Sequence, residues 1–161
     1  MNMLSASLTL ALFLAAGSPA GAQDMGQFPV AVTFVISAGF WQDSGPDMTT
    51  GEAGSDQDEQ RRGYYKLVSV RQPDATAKIY LQQIQSTQEG PSLINSVELE
   101  EFSALGAYVT DIRPEDSRGV SSQPGLFATV YLKTDPQSSE PESWTVIIDE
   151  FGDITVERAT N

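Results

Sequence analysis

One segment near the end of the chain alternates apolar and polar residues without a break. Over Leu126–Lys133 (LFATVYLK), every second side chain is aliphatic. A period of two is the pattern of a β-strand with one buried face. We therefore predict a strand here. Its inward residues would be Leu126, Ala128, Val130 and Leu132, and its outward residues Phe127, Thr129, Tyr131 and Lys133.

The last hairpin is predicted together with its register. Two strands, Trp144–Asp149 and Asp153–Arg158, flank Glu150-Phe151-Gly152. Pairing Ile148 with Ile154 keeps the apolar residues on one face, whereas a slip of one residue would put one set on the wrong face. Gly152 would then take the left-handed conformation that three-residue loops use. The inward set would be Trp144, Val146, Ile148, Ile154 and Val156, packed on Leu126, Val130 and Leu132, with Thr145 and Thr155 pointing away.

That register also places two carboxylates, Asp149 and Asp153, opposite each other, with Glu150 between them. Like charges that face each other across a ladder are unfavourable. Such a pair can bind a cation or share a proton. The alternative is that the carboxylates are exposed, splayed and solvated.

An earlier hairpin is predicted from a turn signal. Tyr64–Arg71 and Ala77–Gln85 flank the polar segment Gln72–Thr76, which contains Pro-Asp. In the second strand, Ala77, Ile79 and Leu81 would share one face, and Lys78, Tyr80 and Gln82 the other. Ser86–Pro91 is predicted as a further turn, and Tyr108–Arg113 as a strand that ends at Pro114.

The densest apolar stretch after the first residues is Phe28–Trp41 (FPVAVTFVISAGFW). It is too short to span a bilayer, which takes about 20 apolar residues. Its β-branched residues favour a buried strand. A segment that contacts a membrane is the alternative.

Two structures compete over Leu93–Gly106 (LINSVELEEFSALG). Asn95 and Glu98 have the spacing of a reciprocal helix cap, and Gly106 suits a helix end. Leu93–Leu99 can instead continue as a strand that pairs with Ala77–Gln85. We predict a short helix over Ser96–Leu105.

The sum is an α+β fold, mostly β, with about seven mainly antiparallel strands and one short helix in a single domain over residues 23–161. A domain of about this size buries enough surface to fold without disulfides.

The first 22 residues have the pattern of a signal peptide. Leu8–Ala16 is an apolar run, and Ala20-Gly21-Ala22 is a small-residue cleavage pattern. The run is too short for a membrane helix. The segment departs from the usual signal-peptide pattern in one respect, because its first residues contain no Lys or Arg. We predict cleavage after Ala22, a periplasmic or secreted protein, and no stable membrane insertion after cleavage.

Gln42–Gln60 is acidic, rich in glycine and without an aromatic residue, which predicts a flexible loop. Asp56 and Asp58 match part of a calcium-loop pattern, but the required later Gly and Glu are missing. A calcium-dependent module is therefore only an alternative.

The chain has no cysteine and no histidine. It therefore has no thiol nucleophile, no Ser-His-Asp triad and no thiolate or imidazole metal ligand. We predict no catalytic residue, no metal and no cofactor, and we favour a non-enzymatic protein.

The formal charge is −13. No basic patch is present to neutralise phosphates, so we expect no binding of nucleic acid. A basic protein would be attracted at long range, and a basic protein or an envelope component is the expected partner. The sequence leaves the oligomeric state open.

The leading contact region is the connection Arg113–Gly125 (RPEDSRGVSSQPG). Loops on a rigid sheet often carry recognition, and two arginines can grip a carboxylate. The alternative is that they pair with Glu115 and Asp116. The candidate binding residues here are Arg113, Ser117, Arg118, Ser121 and Ser122.

Aromatic residues on both sides of the acidic loop form the second candidate. Phe40, Trp41, Tyr64 and Tyr65 would make a platform for sugar or peptide if their strands are neighbours. Aromatic residues on strands also commonly lie in the core, which is the alternative.

These observations favour a small exported binding module. A glycan hydrolase that uses two carboxylates is a further hypothesis. It requires two acids in one cleft, about 5–5.5 Å apart for retention or about 6.5–9.5 Å apart for inversion.

Overall fold

The computed structural model describes residues 29–43, 61–115 and 123–160, which form eight strands and one helix. The elements in chain order are β1 (Val32–Gln42), β2 (Arg62–Arg71), β3 (Ala77–Thr87), β4 (Gly90–Glu98), α1 (Glu100–Leu105), β5 (Tyr108–Pro114), β6 (Leu126–Lys133), β7 (Glu142–Ile148) and β8 (Ile154–Arg158). In the described ranges, no helix has the length and apolarity needed to cross a membrane.

The strands form two antiparallel sheets of identical connectivity. Sheet 1 has the order β1-β2-β3-β4, and sheet 2 has the order β5-β6-β7-β8. Within each sheet, consecutive strands of the chain therefore pair with each other, and the chain passes from one sheet to the other between β4 and β5. The predicted fold class, mostly β with one short helix, is confirmed, with eight strands rather than seven.

One hydrophobic core joins the sheets. Leu67 and Ile79 of sheet 1 and Val130 and Val146 of sheet 2 are fully buried, and they belong to one cluster that also includes Phe102 of α1. The backbone joins the sheets as well. Phe40 and Gly125 exchange two hydrogen bonds, with N to O distances of 3.1 and 2.8 Å.

The predictions for sheet 2 are largely confirmed. Ile148 pairs with Ile154, and Gly152 has a φ of 88°. The four predicted inward residues of β6 are buried, as are Val146 and Ile148. Ile154 is a correction: it lies on the edge strand β8 and is 44% exposed.

The predicted helix over Ser96–Leu105 is wrong in its first half. Residues 90–98 form β4 and pair with β3, which is the strand alternative. Asn95 lies opposite Gln83 in the ladder, and the helix begins at Glu100 without a side-chain cap. A short helix is only marginally stable by itself. Pairing of residues 90–98 with β3 satisfies the backbone hydrogen-bonding groups of β3, and this gain outweighs the single helix cap. The helix ends as predicted, with Gly106 at φ 59°.

The first strand was predicted as buried, and this is also corrected. β1 is an edge strand that begins at Val32 and alternates between half-buried and exposed residues as far as Ala38, and its one buried residue is Trp41 near its end. Phe34, Ile36 and Ala38 pack on the core, whereas Val35 is 51% exposed.

Two predicted segments lie outside the described residues: the signal peptide over residues 1–22, and residues 44–60 of the acidic loop. The first two residues of that loop, and Arg61 directly after it, are described. Gln42 belongs to β1, and the Asp43 carboxylate accepts a hydrogen bond of 2.7 Å from Arg61 Nε.

Candidate functional site

The outer face of sheet 2 carries the described residue of the leading candidate region, Arg113. Strand β5 pairs Asp111 with Tyr131 and Arg113 with Thr129 of β6. These residues face away from the core, because the intervening Ile112 and Val130 are buried. The same face of β6 presents Phe127, which is 48% exposed. We call Asp111, Arg113, Phe127 and Tyr131 the Arg113 surface.

Two neighbours fix the Arg113 guanidinium. Its Nε donates a hydrogen bond of 2.6 Å to Asp111 Oδ2. Its carbon lies 5.1 Å from the centre of the Tyr131 ring, within the range of a cation–π contact. The Asp111 carboxylate also raises the pKa of Arg113 above its usual value. The guanidinium is thus charged and is oriented by its bond to Asp111 and by the Tyr131 ring.

The surface continues across all four strands of sheet 2. Arg113, Thr129, Thr145 and Glu157 form one row of cross-strand neighbours. Thr129 is only 7% exposed although it points outward, so its neighbours cover it. The row places a cationic side chain at one edge and an acidic one at the other. Such a surface can bind an acceptor-rich group by fork-shaped hydrogen bonds and an apolar group beside Phe127.

The other residues of this candidate region, Ser117, Arg118, Ser121 and Ser122, lie outside the described residues. The structure therefore places Arg113 alone. Among the described residues its ion-pair partner is Asp111 and not Glu115, whereas Asp116, the other partner in the sequence alternative, lies outside them.

The second candidate, the aromatic platform, does not form one surface. β1 and β2 are neighbours as expected, but Trp41 and Tyr65 are 5% and 7% exposed and lie in the core. Tyr64 points to the opposite face of β2 and is half-buried. Trp41 Nε1 donates to the Ile84 carbonyl oxygen over 3.1 Å. Burial first, and then the charge of Asp149, raises the pKa of the Tyr65 phenol.

The carboxylates of the last hairpin organise its loop. Asp149 and Asp153 face each other as predicted, but Asp149 Oδ1 accepts hydrogen bonds of 2.9 Å from the backbone N–H groups of Phe151 and Asp153. Both residues are exposed. In the part of the chain that the structure describes, no group of three acidic side chains is arranged to hold a metal ion.

A shallow pocket lies between the β2–β3 turn and α1. Its polar lining includes Asp74, Lys78 and Ser103. Lys78 Nζ donates to Glu98 over 3.0 Å and Ser103 Oγ donates to the same carboxylate over 2.6 Å. These bonds raise the pKa of Lys78 and lower that of Glu98. A lysine held protonated in this way is a poor base. The one carboxylate in the lining, Asp74, accepts from Thr76, so this pocket lacks the acid pair of a glycan hydrolase.

Sequence reasoning missed Asp111, Phe127 and Tyr131 as members of the site. The alternation of β6 did predict that Phe127 and Tyr131 point outward. Their pairing with β5 was hidden by a β-bulge between Val109 and Asp111, which shifts the register by one residue.

In comparisons with known proteins, no protein family, no curated protein and no solved structure matches the chain.

Proposed function

We propose that this protein is a small exported module that binds a protein or an envelope component through the Arg113 surface and catalyses no reaction. The observation that carries the proposal is the guanidinium held between the Asp111 carboxylate and the Tyr131 ring, beside the exposed Phe127. Arginine and tyrosine are the residue types that most often dominate binding energy at interfaces.

Three further observations support the proposal. The surface is built on paired strands, which hold its side chains with little loss of freedom on binding. The apolar run and small-residue pattern in residues 1–22 support export. The absence of cysteine and histidine narrows the chemistry that the chain could perform.

The test is affinity capture from envelope extract with the tagged protein and three variants. Arg113→Ala and Tyr131→Leu should each lose the captured component, because one removes the cation and the other the ring beneath it. Arg71→Ala is the matched control, since Arg71 is an exposed arginine at the end of β2 in sheet 1. It should retain the component. Capture that does not distinguish Arg113→Ala from Arg71→Ala would contradict the proposal.

Export has its own test, the intact mass of the protein recovered outside the cytoplasm. A chain that begins at Gln23 is expected. Full-length protein retained in the cytoplasm would contradict this part of the proposal.

A further inference from the structure

The outer face of sheet 1 exposes apolar side chains around a lysine. Val35, Val68 and Tyr80 form a row of cross-strand neighbours on β1, β2 and β3. The next row holds Lys66, between Ser37 and Gln82. Val35 is 51% exposed and the other two members of its row are half-buried. We call Val35, Lys66, Val68 and Tyr80 the sheet-1 outer face.

Basic residues predominate on the three strands that form this face, although the protein as a whole is strongly acidic. The three strands β1, β2 and β3 carry four basic residues and no acidic residue, whereas the whole chain has a formal charge of −13. Lys66 itself makes no ion pair with any residue that the structure describes. Glu98 of β4, which lies opposite Tyr80 in the same row, is paired with Lys78. Among the described residues, the face therefore presents the Lys66 ammonium group without an ion-pair partner, together with apolar surface.

The tip of the β7–β8 hairpin has the complementary chemistry. It consists of Asp149, Glu150, Phe151, Gly152 and Asp153 (the Phe151 tip). The Phe151 ring is 82% exposed, and the backbone bonds to Asp149 hold the turn that presents it. An aromatic ring between carboxylates fits an apolar surface that contains a cation.

We propose that two copies of this protein associate head to tail, with the Phe151 tip of one copy on the sheet-1 outer face of the other. The tip belongs to sheet 2 and the face points away from the core that the sheets share, so the two meet only between copies. Stacking two sheet-1 outer faces on each other would instead bring Lys66 near its own counterpart, which like charges disfavour.

An interface between two different surfaces leaves one tip and one face free, so it extends into rings or chains. The negative charge of the whole molecule opposes association, so we expect the assembly to be weak and to form only at high protein concentration. The Arg113 surface takes no part, and variants of that surface distinguish a failure of the proposed function from a failure of this inference.

The experiment is sedimentation of the protein in the processed form that the cell produces, from micromolar to millimolar concentration. The weight-average mass should rise with concentration. Lys66→Glu destroys the face and Phe151→Ser destroys the tip, so each variant alone should associate roughly tenfold or more weakly. Lys133→Glu makes the same charge change on sheet 2 and should associate like the wild type. Circular dichroism verifies that each variant is folded.

Mixing the two defective variants is the decisive measurement. Lys66→Glu retains a working tip and Phe151→Ser retains a working face, so the mixture should form a one-to-one dimer and nothing larger. A wild-type protein that is monomeric throughout would overturn the inference. So would association that survives both variants, or a mixture that stays monomeric, because another surface or another segment would then be responsible.

Discussion

The central strand β6 and the edge strand β4 are held in place by different forces. β6 buries five of its eight residues, whereas β4 buries none of its nine. Two apolar residues of β4, Leu93 and Ile94, are 56% and 41% exposed. β4 is attached by its ladder with β3 and by contacts at its end, where Val97 packs at the margin of the core and Glu98 binds Lys78. Burial therefore stabilises the centre of this fold, and backbone pairing with local polar bonds positions its margins.

The largest expected effect compares one substitution at both places. Leu132→Ala in β6 deletes a side chain that is 1% exposed, and it should destabilise the protein by about 2–5 kcal/mol. Leu93→Ala makes the identical change in β4 and should cost roughly 1 kcal/mol or less, because the side chain is already largely in water. Chemical denaturation measures both. Equal losses would show that β4 contributes to the core and would break the comparison.

The same contrast explains what the sequence could predict. In β6, Leu126–Lys133, burial on one face produces the alternating pattern, so strand and faces follow from the residues. β4 carries no such pattern because most of its residues are exposed and only Val97, near its end, packs against the core. The local cap signal of Asn95 and Glu98 then favours a helix. The exposed Val35 on β1 was missed for a related reason: composition does not show whether a strand lies at an edge.

In the candidate site, too, some features follow from the local sequence pattern and others depend on pairing between distant strands. The outward direction of Phe127 and Tyr131 follows from alternation within β6. Their meeting with Arg113 depends on pairing between β5 and β6 across a bulge, which no local pattern records. The inward position of Trp41 depends likewise on the irregular register between Ala38 and Trp41, where β1 bends toward the other sheet.

The attachment of the edge strand β1 to sheet 2 gives the second prediction. Gly39 has a φ of 64°, and an added Cβ would lie 2.1 Å from the Gly125 carbonyl oxygen. Gly39→Ala should therefore cost about 2 kcal/mol or more, since the left-handed conformation alone costs about 1–2 kcal/mol and the backbone must also shift. Gly106→Ala is the matched control, because its φ is 59° and the space around it is open. Equal melting temperatures for the two variants would show that the backbone at the Gly39–Gly125 contact can shift without loss of stability.

The two tryptophans separate hydrogen bonding from burial. Trp41 Nε1 donates to the Ile84 carbonyl, whereas Trp144 Nε1 is buried and finds no acceptor among the residues that the structure describes. The Trp144 ring packs edge-on against Phe102. Trp41→Phe should cost about 0.5–1.5 kcal/mol beyond the packing loss, because it removes the buried hydrogen bond to the Ile84 carbonyl. Trp144→Phe should cost less, since it also removes an unsatisfied donor. Urea denaturation compares them, and a larger loss for Trp144→Phe would mean that its ring packing dominates.

The smallest effect concerns the polar bonds at the end of β4. The Ser103 hydroxyl first, and then Lys78, lower the pKa of Glu98. A carboxyl whose pKa is lower in the folded than in the unfolded protein stabilises the fold above its unfolded pKa, and this contribution is lost as the pH falls through the folded pKa. Glu98→Gln should therefore flatten the acidic side of the stability–pH curve, and Ser103→Ala should flatten it in part. The effect is small because Lys78 and Glu98 are partly exposed, so that water screens their interaction. Both variants should keep some loss of stability in acid, because the pKa of Asp74 is also lowered. Stability measured from neutral to acidic pH tests this. If the dependence of stability on pH were unchanged in Glu98→Gln, the polar contacts of Glu98 would not stabilise β4. The contrast with β6 would then depend on the β3–β4 ladder without these contacts.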